Sequence, residues 1–392
     1  MRFFKKQLSS WLGVFKRNSM VTVVSDITEL REALDLGAKP IGSLHSYNKI
    51  ALHKKAVKLG PSFEFMKFND ETKTLYCGGA AKVKDVMIYL NHKSRRLINC
   101  GNHREQTMAG VSRTTHGMGR KAMVAESIIR VLGFDKDLEL VHTEDISLLH
   151  ELVCIIGLEF KTAPVESFDF TSCVCRMSEL NWDGQMAASI LPYSHNSDPI
   201  TLISKFEANQ NNQFEPLKTE KIRFSFFKNW RLYLFWYIDA SLPFLRRIIQ
   251  RLLNFMKLPV TKIKTNPYDI DFLYHPWPSL DGLDNPKFLL WSYKPTHTCF
   301  NLSFMVSEES FQSCISYLII ESEKIDRYLL RCFIGCRYLS DTSKLSWGYN
   351  SDGPCIAVDL YCTPKKHKKL AKLVSRVSQR FHIKHHLAKS VV

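Results

Sequence analysis

Two stretches rich in glycine and small hydroxyl residues constrain the fold of this chain more than any other feature. The first is GSLHSYN at residues 42–48, and the second, about sixty residues later, is RRLINCGNHREQTMAGVSRTTHGMGRKAM at residues 95–123. Loops of this composition bring peptide N–H groups close to a phosphate or a flat heterocycle, because glycine has no Cβ to block the approach. One such loop is weak support for a ligand site. Two such loops in one chain predict a ligand site more strongly.

Composition limits the classes of protein that remain. With 392 residues, of which 45% are hydrophobic and 23% charged, the chain can bury a large core in two or three domains. Wholesale disorder is excluded. The formal charge of +16 calls for a partner of opposite sign, whether nucleic acid, an anionic lipid surface or a phosphate-bearing cofactor. Charge alone does not choose among these.

Cysteine usage predicts reduced thiols and no metal site. The chain has eleven cysteines, and its tightest pairs are Cys173 with Cys175 and Cys332 with Cys336. Neither pair has the repeated CxxC partner that a zinc site needs. Since no apolar signal-peptide core is present either, the sequence favours a cytoplasmic location.

Local patterns predict an α+β chain after a distinct N-terminal segment. Residues 1–20 contain no acid and alternate basic with aromatic residues, which suits an amphipathic surface helix, a transit segment or a flexible basic tail. From Val21 onward, short β-rich runs alternate with helical patterns. Asp26 is predicted to cap a helix in which Ile27, Leu30 and Leu34 share one face.

The two loops also resemble one protein family. They are similar to the G-x-x-H-S and Q-T-x-A-G-x-x-S/T-x-x-T-H-G patterns of the flavin-binding domain in vanillyl-alcohol-oxidase-type proteins. Among these, the likeness is to the sugar-1,4-lactone oxidases, acting on L-gulonolactone or D-arabinono-1,4-lactone, and to the alditol oxidases. The resemblance implies a PCMH-type FAD-binding domain in two parts. The matching residues are Gly42, His45, Ser46, Gln106, Thr107, Ala109, Gly110, Thr115, His116 and Gly117.

The resemblance implies that FAD is the cofactor and that His45 binds it covalently. In family members with covalent FAD, the histidine of the first loop is bonded to the flavin 8α-methyl group. The alternatives are that His45 caps a turn beside non-covalent FAD, and that His116 is a structural histidine beside the ring. The remaining cofactor contacts implied by the family are Gly42, Ser43, Leu44, Ser46, Thr107, Gly110, Ser112, Thr114, Thr115, His116, Gly117, Ile155 and Ile156.

The C-terminal third carries the family's implied catalytic residues, with two departures. CFIGCRYLSDTSKLSWGYNSDGPCIAVDLYC is similar to the E-x-R strand, a turn and the next strand, so that Arg337 matches the arginine while Gly335 replaces the glutamate. HIKHHLAK is similar to a terminal H-W-x-K motif, which supplies His386 and Lys389 with Leu387 in place of tryptophan. Arg337 and Lys389 are cations suited to stabilising charge that develops during hydride transfer.

An aromatic and arginine-rich stretch at residues 224–256 has two interpretations. Its longest uncharged run is too short to span a bilayer, which needs ~20 apolar residues. Apolar residues flanked by arginines fit a helix that lies in a membrane interface. The alternative is a pair of core helices divided by Pro243.

These observations combine into a domain prediction and a function. We expect an FAD-binding domain at residues 21–165, a substrate (cap) domain at 166–370 built on an antiparallel sheet with flanking helices, and a segment at 371–392 that returns to the flavin. The resemblance implies an FAD-dependent oxidase or dehydrogenase that removes hydride from a CH–OH group of a sugar-1,4-lactone or polyol. The electron acceptor would be O2 or a redox protein.

Two other functions remain open at the sequence level. Gly335 motivates a flavin-binding protein of the same fold whose catalysis has decayed. The charge and the run KKHKK at residues 365–369 motivate a basic anion- or nucleic-acid-binding protein. Because no recognised nucleic-acid motif is present, a nucleic-acid partner is not expected.

The covalent link gives a direct test. Flavin fluorescence is expected to remain with the acid-precipitated wild-type protein and to disappear from the His45→Ala precipitate, because only a covalent bond survives denaturation. The supernatant of the variant, measured in parallel, reports non-covalent FAD. Loss of all flavin from the wild-type precipitate would contradict covalency and leave FAD binding open.

Overall fold

A computed structural model shows three β-sheets with helices packed against them. The third sheet is antiparallel and carries flanking helices, as predicted for an α+β protein. The residues that the structure describes are 2–10, 15–44, 46, 49–98, 105–114, 124–164, 167–182, 185–195, 198–209, 242–253, 261–265, 300–331, 334–339 and 354–385.

The first sheet has four strands in the order β1, β2, β4, β3. Strands β1 (Phe4–Ser9) and β2 (Lys16–Val24) form an antiparallel hairpin. Strands β2 and β3 (Lys39–Ile41) both run parallel to β4 (Lys55–Leu59). Helix α1 (Ile27–Asp35) connects β2 with β3. The loop GSLHSYN therefore begins directly after β3.

The cap of helix α1 is confirmed. Asp26 accepts a hydrogen bond from the N–H of Glu29 at 2.8 Å, and the carboxylate of Glu29 accepts one from the N–H of Ser25 at 2.7 Å. Leu30 and Leu34 are buried, as their spacing predicted. Ile27 is 40% exposed, so the apolar face of the helix starts one turn later than the sequence indicated.

The N-terminal segment is a correction to the helical expectation. Residues 4–9 form a strand whose six residues all pair with β2. Leu8 of this strand is buried in the core, whereas Lys5, Lys6 and Gln7 are exposed. Phe15 lies against the rings of Phe300 and His367, so the end of this hairpin contacts the third sheet.

The second sheet has the strand order β5, β6, β10, β8, β9, with β7 paired to β10. Helices α2 (Val83–Asn91) and α3 (Met108–Thr114) contribute to its hydrophobic core. The stretch CIIGLEFKTAP forms β10, which pairs with three neighbours. The strands are β5 (Met66–Asn69), β6 (Thr74–Gly78), β7 (Arg95–Leu97), β8 (Ile128–Phe134), β9 (Leu140–Thr143) and β10 (Cys154–Pro164).

The third sheet has eight antiparallel strands in the order β14, β11, β13, β12, β16, β17, β15, β18. Three helices accompany it, α4 (Pro243–Leu253), α5 (Glu308–Ile325) and α6 (His367–Arg380). The strands are β11 (Ser167–Arg176), β12 (Gln185–Ile190), β13 (Ile200–Asn209), β14 (Thr261–Thr265), β15 (Phe300–Ser307), β16 (Ile334–Leu339), β17 (Cys355–Cys362) and β18 (Ile383–His385).

The two faces of this sheet differ in chemistry. The face that packs on α5 and α6 carries large apolar residues, such as Phe304 on β15 and Val358 on β17. Because side chains alternate along a strand, Ser303 and Asp359 point to the opposite face. All eight residues of β17 are buried, so the polar residues of the second face are shielded from bulk water.

The basic run KKHKK lies at the start of α6, where an acid neutralises part of its charge. Lys366 and Lys369 donate to Asp326 at 2.9 and 2.7 Å. Desolvation favours the protonated form of Asp326, but the hydrogen bonds from Lys369 and Lys366 outweigh it and lower the pKa to about 2. Part of this run therefore anchors α6 to the end of α5.

The Asp326 cluster is expected to contribute stability that depends on pH. Asp326→Asn should lower the free energy of unfolding at pH 7 by about 1 kcal/mol, after allowance for solvent screening. The difference from wild type should shrink as pH falls from ~4 toward the folded pKa, since both proteins then lack the charge. Urea unfolding between pH 7 and pH 3 measures it.

A matched control is Glu139→Gln, because the pair of Glu139 with Arg31 is exposed on both sides. Its unfolding free energy should differ little from that of wild type at any of these pH values. An Asp326→Asn difference that stays constant from pH 7 to pH 3 would contradict the assignment.

Candidate functional site

The candidate site is a cavity of about 610 Å³ at the junction of the first and second sheets. Its walls come from the ends of β3 and β4, the turn after β6, helix α3 and the first residues of β10. A volume of this size is typical of sites for small molecules and cofactors. Both glycine-rich stretches contribute to its lining.

The two stretches are in direct contact. The hydroxyl of Ser43 donates to the carbonyl oxygen of Glu105 at 2.5 Å. A Cβ added at Gly42 would lie 2.6 Å from Oγ1 of Thr107, which is closer than packed atoms approach. The cavity lining includes four of the residues that the family resemblance implies as cofactor contacts, namely Gly42, Ser43, Thr107 and Gly110.

The first loop has an unusual backbone conformation. Leu44 has a φ of 60°, in the left-handed region that a side chain disfavours. Such residues cluster where a ligand or a tight turn dictates the backbone. Among the described residues, the structure gives no acceptor to the peptide N–H of Ser43 or of Leu44.

The second loop differs from its expected role. The N–H of Met108 donates to Ala81 at 2.8 Å and that of Ala109 to Gly79 at 3.1 Å, while the N–H of Gly110 donates to the hydroxyl of Thr107 at 3.3 Å. These peptide groups are therefore engaged within the protein. The start of α3 forms a wall of the cavity, and the first loop is the better candidate for binding phosphate.

The turn after β6 is a part of the site that sequence reasoning missed. Gly79 donates its N–H to the carbonyl of Ile156 at 2.6 Å and accepts from Ala109. A Cβ at Gly79 would overlap the carbonyl oxygen of Ile155. The available signal was the run GGAA at residues 78–81, because four consecutive small residues favour a close approach of backbone.

Charges around the cavity are partly compensated. Lys82 and Lys84 both donate to Glu105, the first at 2.6 Å. Desolvation disfavours the charged form of Glu105, but these hydrogen bonds outweigh it and lower its pKa.

Arg113 supplies a cation without a counter-ion among the described residues. Its guanidinium donates to the carbonyl oxygens of Leu149 and Leu152, and it contacts no carboxylate in the described part of the chain. Burial lowers its pKa, which expresses the cost of holding this charge away from water. An anionic ligand in the cavity would offset that cost.

The structure separates the predicted cofactor residues into groups. Ile155 lines the cavity, whereas Ile156 is buried in an adjacent core. The hydroxyl of Ser112 is buried and donates to Met108 within α3, so it does not face the cavity. Leu44 and Ser46 continue the first loop beyond the cavity lining, and Thr114 ends helix α3. The predicted residues outside the described ranges are His45, Thr115, His116, Gly117, His386 and Lys389.

Arg337, a predicted catalytic residue, lies on the third sheet and not in this cavity. It is on β16, where its guanidinium donates to Asp359 of β17. The side chain of Asp359 is only 2% exposed, so the pair is an interior one. Lys49, just after the first loop, lies 5.3 Å from the ring centroid of Phe15, which in turn contacts Phe300 of the third sheet.

The fold is similar to solved structures of cholesterol oxidases. A solvent-stable cholesterol oxidase matches with a TM-score of 0.65 and 12% identity, over 99% of this chain and 87% of that one. Cholesterol oxidase from B. sterolicum matches with a TM-score of 0.62 and 12% identity, over 96% and 83%. No protein-family model and no curated protein matches the sequence. The likeness confirms the predicted α+β, PCMH-type fold.

Contact between the two loops predicts a specific coupling. Gly42→Ala should lower the free energy of unfolding by about 1 to 3 kcal/mol, because the new Cβ meets Thr107. Adding Thr107→Ala removes that obstacle, so the double variant should be more stable than the sum of the two single losses predicts. Urea unfolding of the four proteins measures the coupling. Simple additivity would show that the two residues do not touch.

Proposed function

We propose that this protein is an FAD-dependent oxidoreductase that oxidises a CH–OH group of a sugar-1,4-lactone or polyol. One observation carries the proposal: two sequence stretches that resemble flavin-binding loops meet at Gly42 and Thr107 and line one cavity. The fold shared with solved cholesterol oxidases supports it, because those proteins by name oxidise an alcohol. The choice of sugar lactone or polyol rests on the sequence resemblance alone.

The residues of the cavity fit FAD. The described residues provide no acceptor for the N–H groups of Ser43 and Leu44, and such groups suit phosphate oxygens. Arg113 offers a cation without a carboxylate partner among the described residues, which complements a pyrophosphate. The volume of about 610 Å³ is within the range of cofactor sites. Covalent attachment through His45 is part of the proposal.

The chemistry divides between the cofactor and the chain. When bound, the flavin supplies the acceptor for a hydride from the alcohol carbon, while the hydroxyl gives up a proton and the alcohol becomes a carbonyl. Arg337 is a fixed cation that would stabilise negative charge on the substrate oxygen. The acidic partner Asp359 holds the guanidinium in place. We assign the same stabilising role to Lys389, with His386 beside it, on the resemblance. O2 or a redox protein would reoxidise the flavin.

The two competing functions receive different support. A flavin-binding protein with decayed catalysis remains the second candidate, because Gly335 lacks the carboxylate of the family pattern. The anion- or nucleic-acid-binding alternative loses support, since Lys366 and Lys369 of the basic run are paired with Asp326.

Anaerobic bleaching tests turnover separately from cofactor binding. Wild-type protein purified with FAD should lose flavin absorbance when mixed with L-gulono-1,4-lactone, D-arabinono-1,4-lactone or xylitol. Arg337→Ala should keep its FAD and bleach about 10²- to 10³-fold more slowly, because a cation aimed at developing charge is lost. Cholesterol serves as the comparison substrate. Bound FAD that none of these alcohols bleaches would favour the decayed protein, and bleaching by cholesterol alone would replace the sugar substrate.

We also propose peripheral contact with a membrane surface through α4. Within the described residues, no helix has the length and apolarity to cross a bilayer. Phe244 and Ile248 are each 51% exposed, one turn apart on α4. Arg247 is not part of this exposed surface, because it pairs with Glu323 and lies over the ring of Tyr193. One side of α4 is thus anchored and the other offers apolar side chains to an interface.

Vesicle co-sedimentation tests this contact. Phe244→Ser with Ile248→Ser should reduce binding of the full chain to vesicles that contain anionic lipid, since the buried apolar area is lost. Ile320→Ser, which changes an exposed apolar residue on α5, is the matched control and should bind as wild type does. Wild-type protein that stays in the supernatant at low salt would overturn the proposal.

A further inference from the structure

The second face of the third sheet carries further polar residues beside the pair of Arg337 and Asp359 that the proposed reaction uses. Strand register places Asp359 of β17 directly opposite Gly335 of β16 and, on its other side, opposite Ser303 of β15. Side chains opposite each other in an antiparallel pair lie about 5 Å apart. The side chain of Asp359 therefore lies in the same cross-strand row as position 335, where glycine has no side chain.

The carboxylate of Asp359 and the arginine of the E-x-R-like strand are already joined. Arg337 lies two residues after Gly335, so both belong to the same face of β16. Its guanidinium donates to Asp359. Strand β16 carries the arginine but no carboxylate on this face. Asp359 on the neighbouring strand β17 supplies a carboxylate, so both groups are present on one face.

Two further groups on this face have unused hydrogen-bonding capacity. Asn301 is 0% exposed, and neither its side-chain oxygen nor its nitrogen has a partner in the described structure. The hydroxyl of Ser303 is 1% exposed and likewise has none there. A buried polar group without a partner is costly to a folded chain, so two of them on one face point to polar atoms of a ligand.

We infer that Asp359 binds the substrate hydroxyl in place of the carboxylate absent at Gly335, and that Ser303 and Asn301 bind further hydroxyls of the same molecule. This inference rests on the proposed function. The substrate hydroxyl donates to Asp359, and its oxygen accepts from Arg337. Asn301 and Ser303 are two positions apart on β15. Their side chains therefore lie roughly 7 Å apart along the strand.

The arrangement selects among alcohols. Four polar side chains on three adjacent strands suit a short molecule with several hydroxyl groups. A sterol has a single hydroxyl and would leave Asn301 and Ser303 without partners, which is unfavourable. This face therefore distinguishes a polyol or sugar lactone from the substrate named for the structurally similar cholesterol oxidases.

Binding can be measured without turnover. We would titrate L-gulono-1,4-lactone, D-arabinono-1,4-lactone and xylitol into the full chain by calorimetry, under anaerobic conditions with dithionite, so that no alcohol is oxidised. At least one probe should bind to wild type, and Asp359→Asn should weaken it about 10- to 100-fold, because hydrogen bonds to a charged group are lost. Gly335→Glu combined with Asp359→Ser returns a carboxylate to the same row and should recover affinity.

Two further variants guard against effects on folding. Glu321→Gln disturbs a carboxylate that binds Lys324 and Arg376 on the helical side of the same domain, and it should bind the probe as wild type does. Ser303→Ala removes a buried hydroxyl without a partner in the described structure, so it should leave Tm unchanged or raise it. The same variant should bind the probe more weakly. Lower Tm with unchanged affinity in Ser303→Ala would assign the hydroxyl a structural role and overturn its part in the site.

The outcomes separate this inference from the proposed function. Equal affinity in wild type and Asp359→Asn, or no binding of any of the three probes, would overturn the inference. Flavin content and anaerobic bleaching are measured on the same preparations. Probe binding that depends on Asp359 in a protein without flavin would refute the oxidation and retain the hydroxyl site. Bleaching that does not change in Asp359→Asn would retain the oxidation and refute the site.

Discussion

The backbone of Gly79 lies so close to β10 that one added carbon would overlap the carbonyl oxygen of Ile155. This close approach fixes the turn after β6 against the start of the central strand of the second sheet, and the N–H of Ala109 then docks α3 on the carbonyl of Gly79. Gly42 makes a second close approach, from the first sheet to Thr107. The walls of the cavity therefore depend on two close contacts at glycine, one with the backbone of Ile155 and one with the side chain of Thr107.

Charge in this protein is distributed unevenly. A formal charge of +16 gives the impression of a uniformly basic surface. In the structure, Glu105 forms ion pairs with two lysines beside the cavity, and Asp326 forms ion pairs with two more at the start of α6. Arg113 keeps its charge half-buried against carbonyl oxygens. Arg113 is thus a cation in the cavity lining that no carboxylate among the described residues neutralises.

The third sheet illustrates how one element serves two purposes. Its helical face is filled by Phe304, Val358 and similar residues, and burial of this kind holds α5 and α6 in place. Its second face carries Arg337 and Asp359, a pair that contributes less to stability than apolar packing of the same volume would. The cost is consistent with a function for that face. Rigid strands hold its polar groups at fixed spacing, which a binding site requires.

The sequence by itself determined the features that depend on neighbouring residues. Asp26 caps its helix as predicted, and the two glycine-rich stretches are evident in the sequence itself. Caps, periodicity and backbone freedom act over a few positions, so a chain read in order reveals them.

The tertiary structure alone decided the relations between distant segments. It paired the N-terminal residues with β2 as a strand, brought Gly79 to the wall of the cavity and set Asp359 opposite Gly335. It also joined the basic run of α6 to Asp326. Strand register and ion pairing join residues that are far apart in the chain, and no local pattern specifies their partners because the energy of each contact exists only once the sheets have formed.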